Sequence, residues 1–169
     1  MQKVIRIESA AEADFSVVRD IAYATWPPTY GNILPKEQLE YMLGLFYSDE
    51  ALASNLNEKG HHFLLAYEDA DVMGFASFEH AYQGNPVTHL HKLYLLPQAQ
   101  GKGIGKLLMA EVEKAARANG SESVTLNVNR FNSARDFYLK NGFEIVREVD
   151  IVLDHGYLME DFIMQKQLL

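Results

Sequence analysis

The sequence first suggests chemistry at a glycine-rich turn. The turn lies just beyond Pro97 and leads into a stretch where Ile104, Leu107, Leu108 and Val112 recur at helical spacing. Glycines let a backbone approach a ligand closely, and the free N–H groups of a first helical turn carry partial positive charge. We therefore expect a phosphate or pyrophosphate to bind here. The residues of the turn are Gln100, Gly101, Lys102, Gly103, Ile104, Gly105 and Lys106.

Comparison with two other kinds of phosphate-binding loop narrows the choice of phosphate ligand. A nucleoside-triphosphate loop places a serine or threonine after its lysine to bind magnesium, whereas Leu107 follows Lys106. A dinucleotide loop follows the first strand of a parallel βαβ unit, whereas this turn follows strands whose pattern predicts antiparallel pairing. Both loops fit poorly. A tight strand-to-helix connection that binds nothing stays open as the alternative.

A second group of residues lies about thirty positions later. Its members follow a β-prone segment at fixed intervals: Asn132, Ala134, Phe137, Tyr138, Gly142 and Phe143. Together with the turn, which meets a Q-x-x-G-x-G acetyl-CoA signature, they make the sequence resemble the GNAT superfamily of N-acetyltransferases. The resemblance covers nearly the whole chain. One departure is that Asn132 stands two residues before Ala134, where the family pattern spaces three.

This resemblance implies an enzyme that uses acetyl-CoA as its acetyl donor. The main chain of Leu93, Tyr94 and Leu95 would pair with the pantetheine arm like an added strand, and Asn132 would contact the same arm. The N–H groups of the turn would hold the pyrophosphate, while an N–H at or near Leu93 would polarise the thioester carbonyl. Within the superfamily, the chain looks like the bacterial acetyltransferases that take spermidine or spermine.

Tyr138 matches the tyrosine that serves many relatives as general acid. The departing CoA thiolate has a pKa near that of cysteine, about 8.5, so a phenol can supply its proton. Packing on the buried face of a helix is the alternative role, and the neighbouring Phe137 is expected to have that role.

The attacking amine must lose a proton, and two histidines lead as candidates for the base. His89 and His91 alternate with Leu90 along one side of a predicted strand, and a histidine pKa near 6.5 suits a base at neutral pH. His89 stands where histone-modifying relatives carry a catalytic glutamate. Glu79 on the neighbouring strand is a weaker candidate, and simple solvation of either histidine is the alternative.

We expect no metal site. A convincing zinc site needs three or four ligands, and the adjacent pair His61 and His62, like the alternating pair His89 and His91, offers only two.

Three hypotheses about the function stay open. The leading hypothesis is acetylation of a small primary amine or polyamine, and the second is acetylation of a protein N-terminus or lysine. The third is a CoA-binding sensor without activity. The segment 26–30 and Tyr82 are expected to border the acceptor pocket, as the equivalent elements do in relatives, and the resemblance also allows a homodimer. Four carboxylates could attract a polycation: Glu40, Asp154, Glu160 and Asp161.

One mixed α+β domain over residues 1–169 must position these groups. Hydrophobic periodicity predicts helices over 10–25, from 35 past 43, over 49–58, from the turn to 118, and over 132–140. It predicts strands near 4–8, 63–67, 72–80, 87–95, 123–128, 143–153 and 157–166. Pro27 and Pro28 are expected to end the first helix and leave 29–34 as a loop. This order is that of the GNAT fold, a mixed, mostly antiparallel sheet with helices on both faces.

Composition narrows the function classes. A formal charge of -8 and a pI near 5.2 argue against a nucleic-acid partner. The absence of cysteine excludes disulfides, thiolate metal sites and a cysteine nucleophile. Residues 1–8 have no apolar signal core, and nowhere do about 18 apolar residues run uninterrupted. We therefore expect a cytoplasmic protein with no membrane partner.

Overall fold

The computed structural model describes residues 3–168, so Met1, Gln2 and Leu169 of the expected domain lie outside the described residues. Its strands are β1 (Ile5–Ser9), β2 (His61–Glu68), β3 (Asp71–Glu79), β4 (Val87–Leu95), β5 (Ser123–Asn129), β6 (Glu144–Val152) and β7 (Leu158–Gln167). Its helices are α1 (Phe15–Tyr30), α2 (Lys36–Tyr47), α3 (Asp49–Asn57), α4 (Ile104–Ala118) and α5 (Ala134–Lys140).

All of these strands join one sheet in the order β1-β2-β3-β4-β5-β7-β6. Every neighbouring pair is antiparallel except β4 and β5, which run parallel. Apolar residues of α4 and α5 cover one face, and those of α1, α2 and α3 cover the other. The predicted fold class, a mixed and mostly antiparallel sheet with helices on both faces, is confirmed.

The sheet opens between its two parallel strands. Pairing between β4 and β5 ends at Leu90 and Leu126, after which β5 continues beside β7 alone. Residues 91–95 of β4 therefore have no strand partner on the β5 side. A bulge lies at the same place, because Phe78 pairs with Leu90 and Ser77 with Lys92, which leaves His91 unmatched. The gap provides a strand edge inside the molecule.

The prediction that prolines end the first helix is wrong. Helix α1 continues through Pro27 and Pro28 to Tyr30. Both prolines are exposed, and so are Tyr23 and Ala24, whose carbonyls lose their helical N–H donors. Because these carbonyls face water, the missing hydrogen bonds cost little. The buried side chains on the other face hold the last turn against the sheet.

Most other predicted elements agree with the structure to within a few residues. Ser48 separates α2 from α3, and its hydroxyl accepts a hydrogen bond from the Ala51 N–H at 3.1 Å. Across residues 3–168, no helix combines the length and the apolar character that a bilayer span requires.

Candidate active site

A cleft of about 680 Å³ lies where β4 and β5 separate. The structure brings the three predicted catalytic side chains, His89, His91 and Tyr138, to its wall. Leu93, Tyr94 and Asn132 also line it, whereas Leu95 and the turn at 100–106 lie outside this lining. The turn follows the end of β4, so the cleft and the turn occupy successive parts of one strand-to-helix unit.

The turn presents a row of free main-chain donors. Gly101 and Gly103 adopt φ angles of +77° and +75°, a left-handed conformation that suits glycine. The N–H groups of residues 101–106 donate no hydrogen bond within the described range, and the Leu107 N–H is the first to find an acceptor, the Gly103 oxygen at 3.1 Å. Six free N–H groups at the start of a 15-residue helix fit a pyrophosphate.

The glycines of the signature have different surroundings. A Cβ atom added to Gly103 would meet no atom within 4 Å, so the space beside it is open to a ligand. A Cβ atom on Gly105 would lie 3.3 Å from the Phe137 ring and 3.4 Å from Leu95. Gly105 therefore lets α4 pack closely against α5 and β4. The Lys102 ammonium lies 2.9 Å from the Glu68 carboxylate, so only its main chain is available to the turn.

The open edge of β4 suits an extended ligand. Leu93 and Leu95 pack toward α4 and α5, while Tyr94 packs toward α1, so all three side chains are engaged and the main chain stays free on the β5 side. Asn132 lies across the gap, and its Oδ1 accepts a hydrogen bond from the Ala134 N–H at 3.0 Å. That bond explains why α5 begins at Ala134, two residues later than predicted.

Tyr138 presents an uncommitted hydroxyl to the cleft. Its ring packs edge-on against Phe137 and Phe143, with centroids 5.4 and 5.7 Å away. The hydroxyl makes no hydrogen bond within residues 3–168, although the residue is only 7% exposed. Burial raises the pKa of Tyr138 above its usual value, so the phenol stays protonated at neutral pH. The side chain thus combines core packing with a free donor.

His89 is held by neighbours on two sides. Its Nδ1 lies 2.7 Å from the Thr125 hydroxyl, and its ring stacks on Tyr82 with a centroid distance of 4.1 Å. Burial lowers the pKa of His89 to about 4, so the imidazole is neutral at pH 7.

His91 belongs to a side-chain cluster that the sequence alone did not predict. Its Nε2 lies 2.9 Å from a Glu79 carboxylate oxygen, and the Nε2 of His61 lies 3.3 Å from the same oxygen. Burial lowers the pKa of His91 to about 2 and that of His61 to about 4, and burial raises the pKa of Glu79. Both imidazoles are therefore neutral at pH 7.

These three residues bear on the expected absence of metal. Their donor atoms lie within 4.8 Å of one another, so the structure brings three potential metal ligands together, whereas either histidine pair offered two. The rings of His61 and His91 are stacked, however, with centroids 4.0 Å apart and planes at 12°. Stacked rings direct their lone pairs side by side, whereas a tetrahedral ion needs them to converge. The arrangement fits one carboxylate shared by two rings better than it fits an ion.

Two further contacts in the cleft had no signal in the sequence. The Tyr30 and Tyr94 hydroxyls lie 2.9 Å apart although the residues are 64 positions apart. The Lys92 ammonium lies 5.5 Å from the centroid of the Tyr47 ring. Burial lowers the pKa of Lys92 to about 8, and the charge of Lys59 adds to this.

The expected acceptor border also lines the cleft. Trp26, Tyr30 and Tyr82 all contribute to its wall. Trp26 packs on Tyr30 with ring centroids 4.9 Å apart, so it is a core residue as well as a wall residue.

Comparison with known proteins agrees with this geometry. The family model described as acetyltransferase (GNAT) domain matches residues 34–161. A spermidine N(1)-acetyltransferase of Thermoplasma acidophilum is 31% identical over 168 residues, which cover 96% of this chain and 97% of that protein. A ribosomal-protein alanine N-acetyltransferase of Haemophilus influenzae is 33% identical over 97 residues, which cover 56% of this chain and 62% of that protein.

Solved structures give the same picture. The crystal structure of PaiA N-acetyltransferase from Thermoplasma acidophilum in complex with coenzyme A has a TM-score of 0.79 and 31% identity, covering 97% of this chain and 99% of that one. A GCN5-related N-acetyltransferase structure from Rhodopseudomonas palustris has a TM-score of 0.82 over 99% of this chain and 98% of that one. Its identity is 23%, so it shows the shared fold alone.

Proposed function

Because the chain belongs to the GNAT acetyltransferase family and is an acetyl-CoA-dependent N-acetyltransferase, we propose that it acetylates a primary amine of a small amine, with polyamines leading. One observation carries the proposal. The free Tyr138 hydroxyl, the unpaired edge of β4 and two neutral histidines line the same cleft.

The residues present fit acetyl-CoA as donor. The free N–H groups of residues 101–106 would hold the pyrophosphate, because they lie at a helix N-terminus and have no acceptor within the described residues. The main-chain edge at Leu93, Tyr94 and Leu95 would hold the pantetheine arm as an added strand, with Asn132 across the gap.

The proposed reaction is direct attack without a covalent enzyme intermediate. The amine nitrogen attacks the thioester carbonyl carbon, a carbon–nitrogen bond forms and the carbon–sulfur bond breaks. Tyr138 gives its proton to the departing sulfur, and the attacking nitrogen gives its proton to a base. Burial raises the pKa of the phenol, and burial of the departing sulfur in the same cleft would raise the pKa of its thiol in the same direction.

We assign the base to His91 rather than His89. Burial makes both rings poor bases in isolation, because an imidazolium would be desolvated. The Glu79 carboxylate, 2.9 Å from His91, offsets that penalty when the ring takes up a proton, in the way an aspartate supports a catalytic histidine. His89 has only the Thr125 hydroxyl at its Nδ1.

A polyamine acceptor is supported by three observations of different kinds. The chain is similar over nearly its full length to a spermidine N(1)-acetyltransferase. Its formal charge of -8 favours a cation. Two carboxylates, Glu79 and Asp161, line the cleft. A cytoplasmic location and a homodimer stay predictions, the second testable by size-exclusion chromatography with light scattering.

The test combines binding and turnover in one preparation. Isothermal titration with acetyl-CoA should give one site, and thiol release should follow with spermidine, putrescine or a monoamine. If thiol release occurred only with lysine-containing or N-terminal peptides, the acceptor would be a protein or peptide and not a small amine. Binding without release on any amine would support a sensor and overturn the proposal, and absence of binding would remove the cofactor assignment.

A further inference from the structure

Of the four carboxylates that could attract a polycation, the structure separates one from the rest. Glu40 is exposed and lies 3.9 Å from Lys36, and Asp154 is exposed beside the Tyr41 hydroxyl. Glu160 lies 3.8 Å from Arg130 on the outer surface. Asp161 alone is both buried, at 3% exposure, and part of the cleft wall.

The Asp161 carboxylate has few partners. Its Oδ2 accepts one long hydrogen bond, from the Asn127 amide at 3.4 Å, and makes no ion pair within the described residues. Burial raises the pKa of Asp161 and the charge of Arg130 opposes this shift, but the Arg130 guanidinium is 2.6 Å from Asp150 and also pairs with Glu148 and Glu160. A buried carboxylate without its own cation is costly, and a ligand ammonium would offset that cost.

Asp161 also stands on the correct face of the sheet. Its neighbours Phe162 and Met164 pack toward α4 and α5, and alternation along β7 places Asp161 on the opposite face, with Tyr30. Burial raises the pKa of Tyr30, whose hydroxyl meets Tyr94 of β4, and the negative charge of Asp161 acts in the same direction. The carboxylate therefore lies across the open gap from the strand that carries the proposed base.

The wall on the β4 side carries more positive than negative charge. Lys92 and Lys59 lie there together with one carboxylate, Glu79, near His61 and His91. A cation at this wall favours the neutral form of an amine beside it, and attack requires that neutral form. A second, charged amine would be repelled from this wall and attracted to Asp161.

We propose that Asp161 binds a second ammonium group of the acceptor, while the amine that is acetylated lies near His91 and Lys92. The site thus selects diamines and polyamines over monoamines. This inference rests on the proposed function, since it concerns the acceptor of the same reaction.

The first test needs no variant. Wild-type kcat/KM for putrescine and spermidine should exceed that for butylamine by about 10- to 100-fold, the range expected when a charged hydrogen bond is gained. Equal values for the diamine and the monoamine would overturn the role of Asp161 and leave the acetyltransferase proposal intact. Absence of thiol release with every amine would overturn the acetyltransferase proposal, and this inference with it.

The second test compares Asp161→Asn with Glu160→Gln, a matched loss of one charge at the adjacent position of β7. Asp161→Asn should raise KM for spermidine about 10- to 100-fold and leave kinetics with butylamine within about twofold. Glu160→Gln should change neither. An equal fall of kcat with both amines, together with a shifted pH profile, would assign Asp161 to proton transfer instead. Thermal unfolding of both variants checks that the fold is retained.

Discussion

The two halves of the candidate site use different chemical groups, main-chain groups in one half and side chains in the other. The cofactor half, residues 100–106 and the edge of β4, offers mainly main-chain groups, since the Lys102 ammonium is held by Glu68. The acceptor half offers side chains from β2, β3, β4 and β7: His61, Glu79, His91 and Asp161. A main-chain site tolerates changes of side chain but not of backbone conformation. A side-chain site has the opposite sensitivity.

The largest effect should come from the residue between the halves. Tyr138→Phe should lower kcat by about 100-fold or more, because it removes the donor for the leaving sulfur. Acetyl-CoA affinity should stay within about twofold, since the cofactor half is unchanged. Steady-state kinetics and isothermal titration measure both. Tyr23→Phe is the control, because this tyrosine of α1 is exposed, lies outside the cleft lining and keeps its ring. Unchanged turnover in Tyr138→Phe would remove its role.

A backbone change tests the cofactor half. Gly103→Val should weaken acetyl-CoA binding by about 10- to 100-fold, because a branched residue is strained at φ +75° and its side chain fills the open space beside the turn. Gly120→Val is the control. It has the same kind of conformation, φ +79°, at the far end of α4, where the same strain should leave affinity unchanged. Equal losses in both variants would point to general destabilisation.

A charge change tests the acceptor half. Glu79→Gln should lower kcat/KM about tenfold, because the imidazolium of His91 would lose its carboxylate. The pH–rate profile should shift as well, a readout that a merely structural role would not move. Asp71→Asn, at the exposed start of β3, is the matched control. A profile identical to that of the wild type would separate Glu79 from proton transfer.

The smallest effect concerns stability and pH. Folding lowers the pKa of His89 to about 4 from about 6.5 in the unfolded chain, so the unfolded state binds more protons below pH 6.5. The contribution of neutral His89 to the free energy of unfolding is therefore present above pH 6.5 and is lost as the pH falls toward 4. His89→Gln should reduce the difference in unfolding free energy between pH 7.5 and pH 5.8 by about 1 kcal/mol in urea titrations. Gln98→Asn, an exposed substitution that removes no titratable group, should leave that difference unchanged.

The same contrast explains what could be predicted from the sequence. The turn at 100–106 is contiguous, so its glycines and the helix after it predict a phosphate site without knowledge of the fold. The His61, Glu79 and His91 cluster needs the β2–β3 register, which places His61 opposite Glu79, and the bulge that turns His91 toward both. Strand periodicity predicts the hairpin, but it does not reveal a one-residue bulge.

The error at α1 has a similar origin. Pro27 and Pro28 are local signals for a helix end, and the prediction followed them. The helix continues because both prolines fall on the solvent face while Trp26 and Tyr30 pack on the other, a tertiary arrangement that overrides the local preference. As a result, Tyr30 enters the cleft on a helix rather than on a loop.

The close approach at Gly105 brings the first turn of α4 against α5, the helix that carries Tyr138. A Cβ atom at Gly105 would lie 3.3 Å from the ring of Phe137, the residue directly before Tyr138. A side chain larger than hydrogen at position 105 would press on the Phe137 ring, which packs edge-on against Tyr138, so the spacing of the two helices depends on this one glycine.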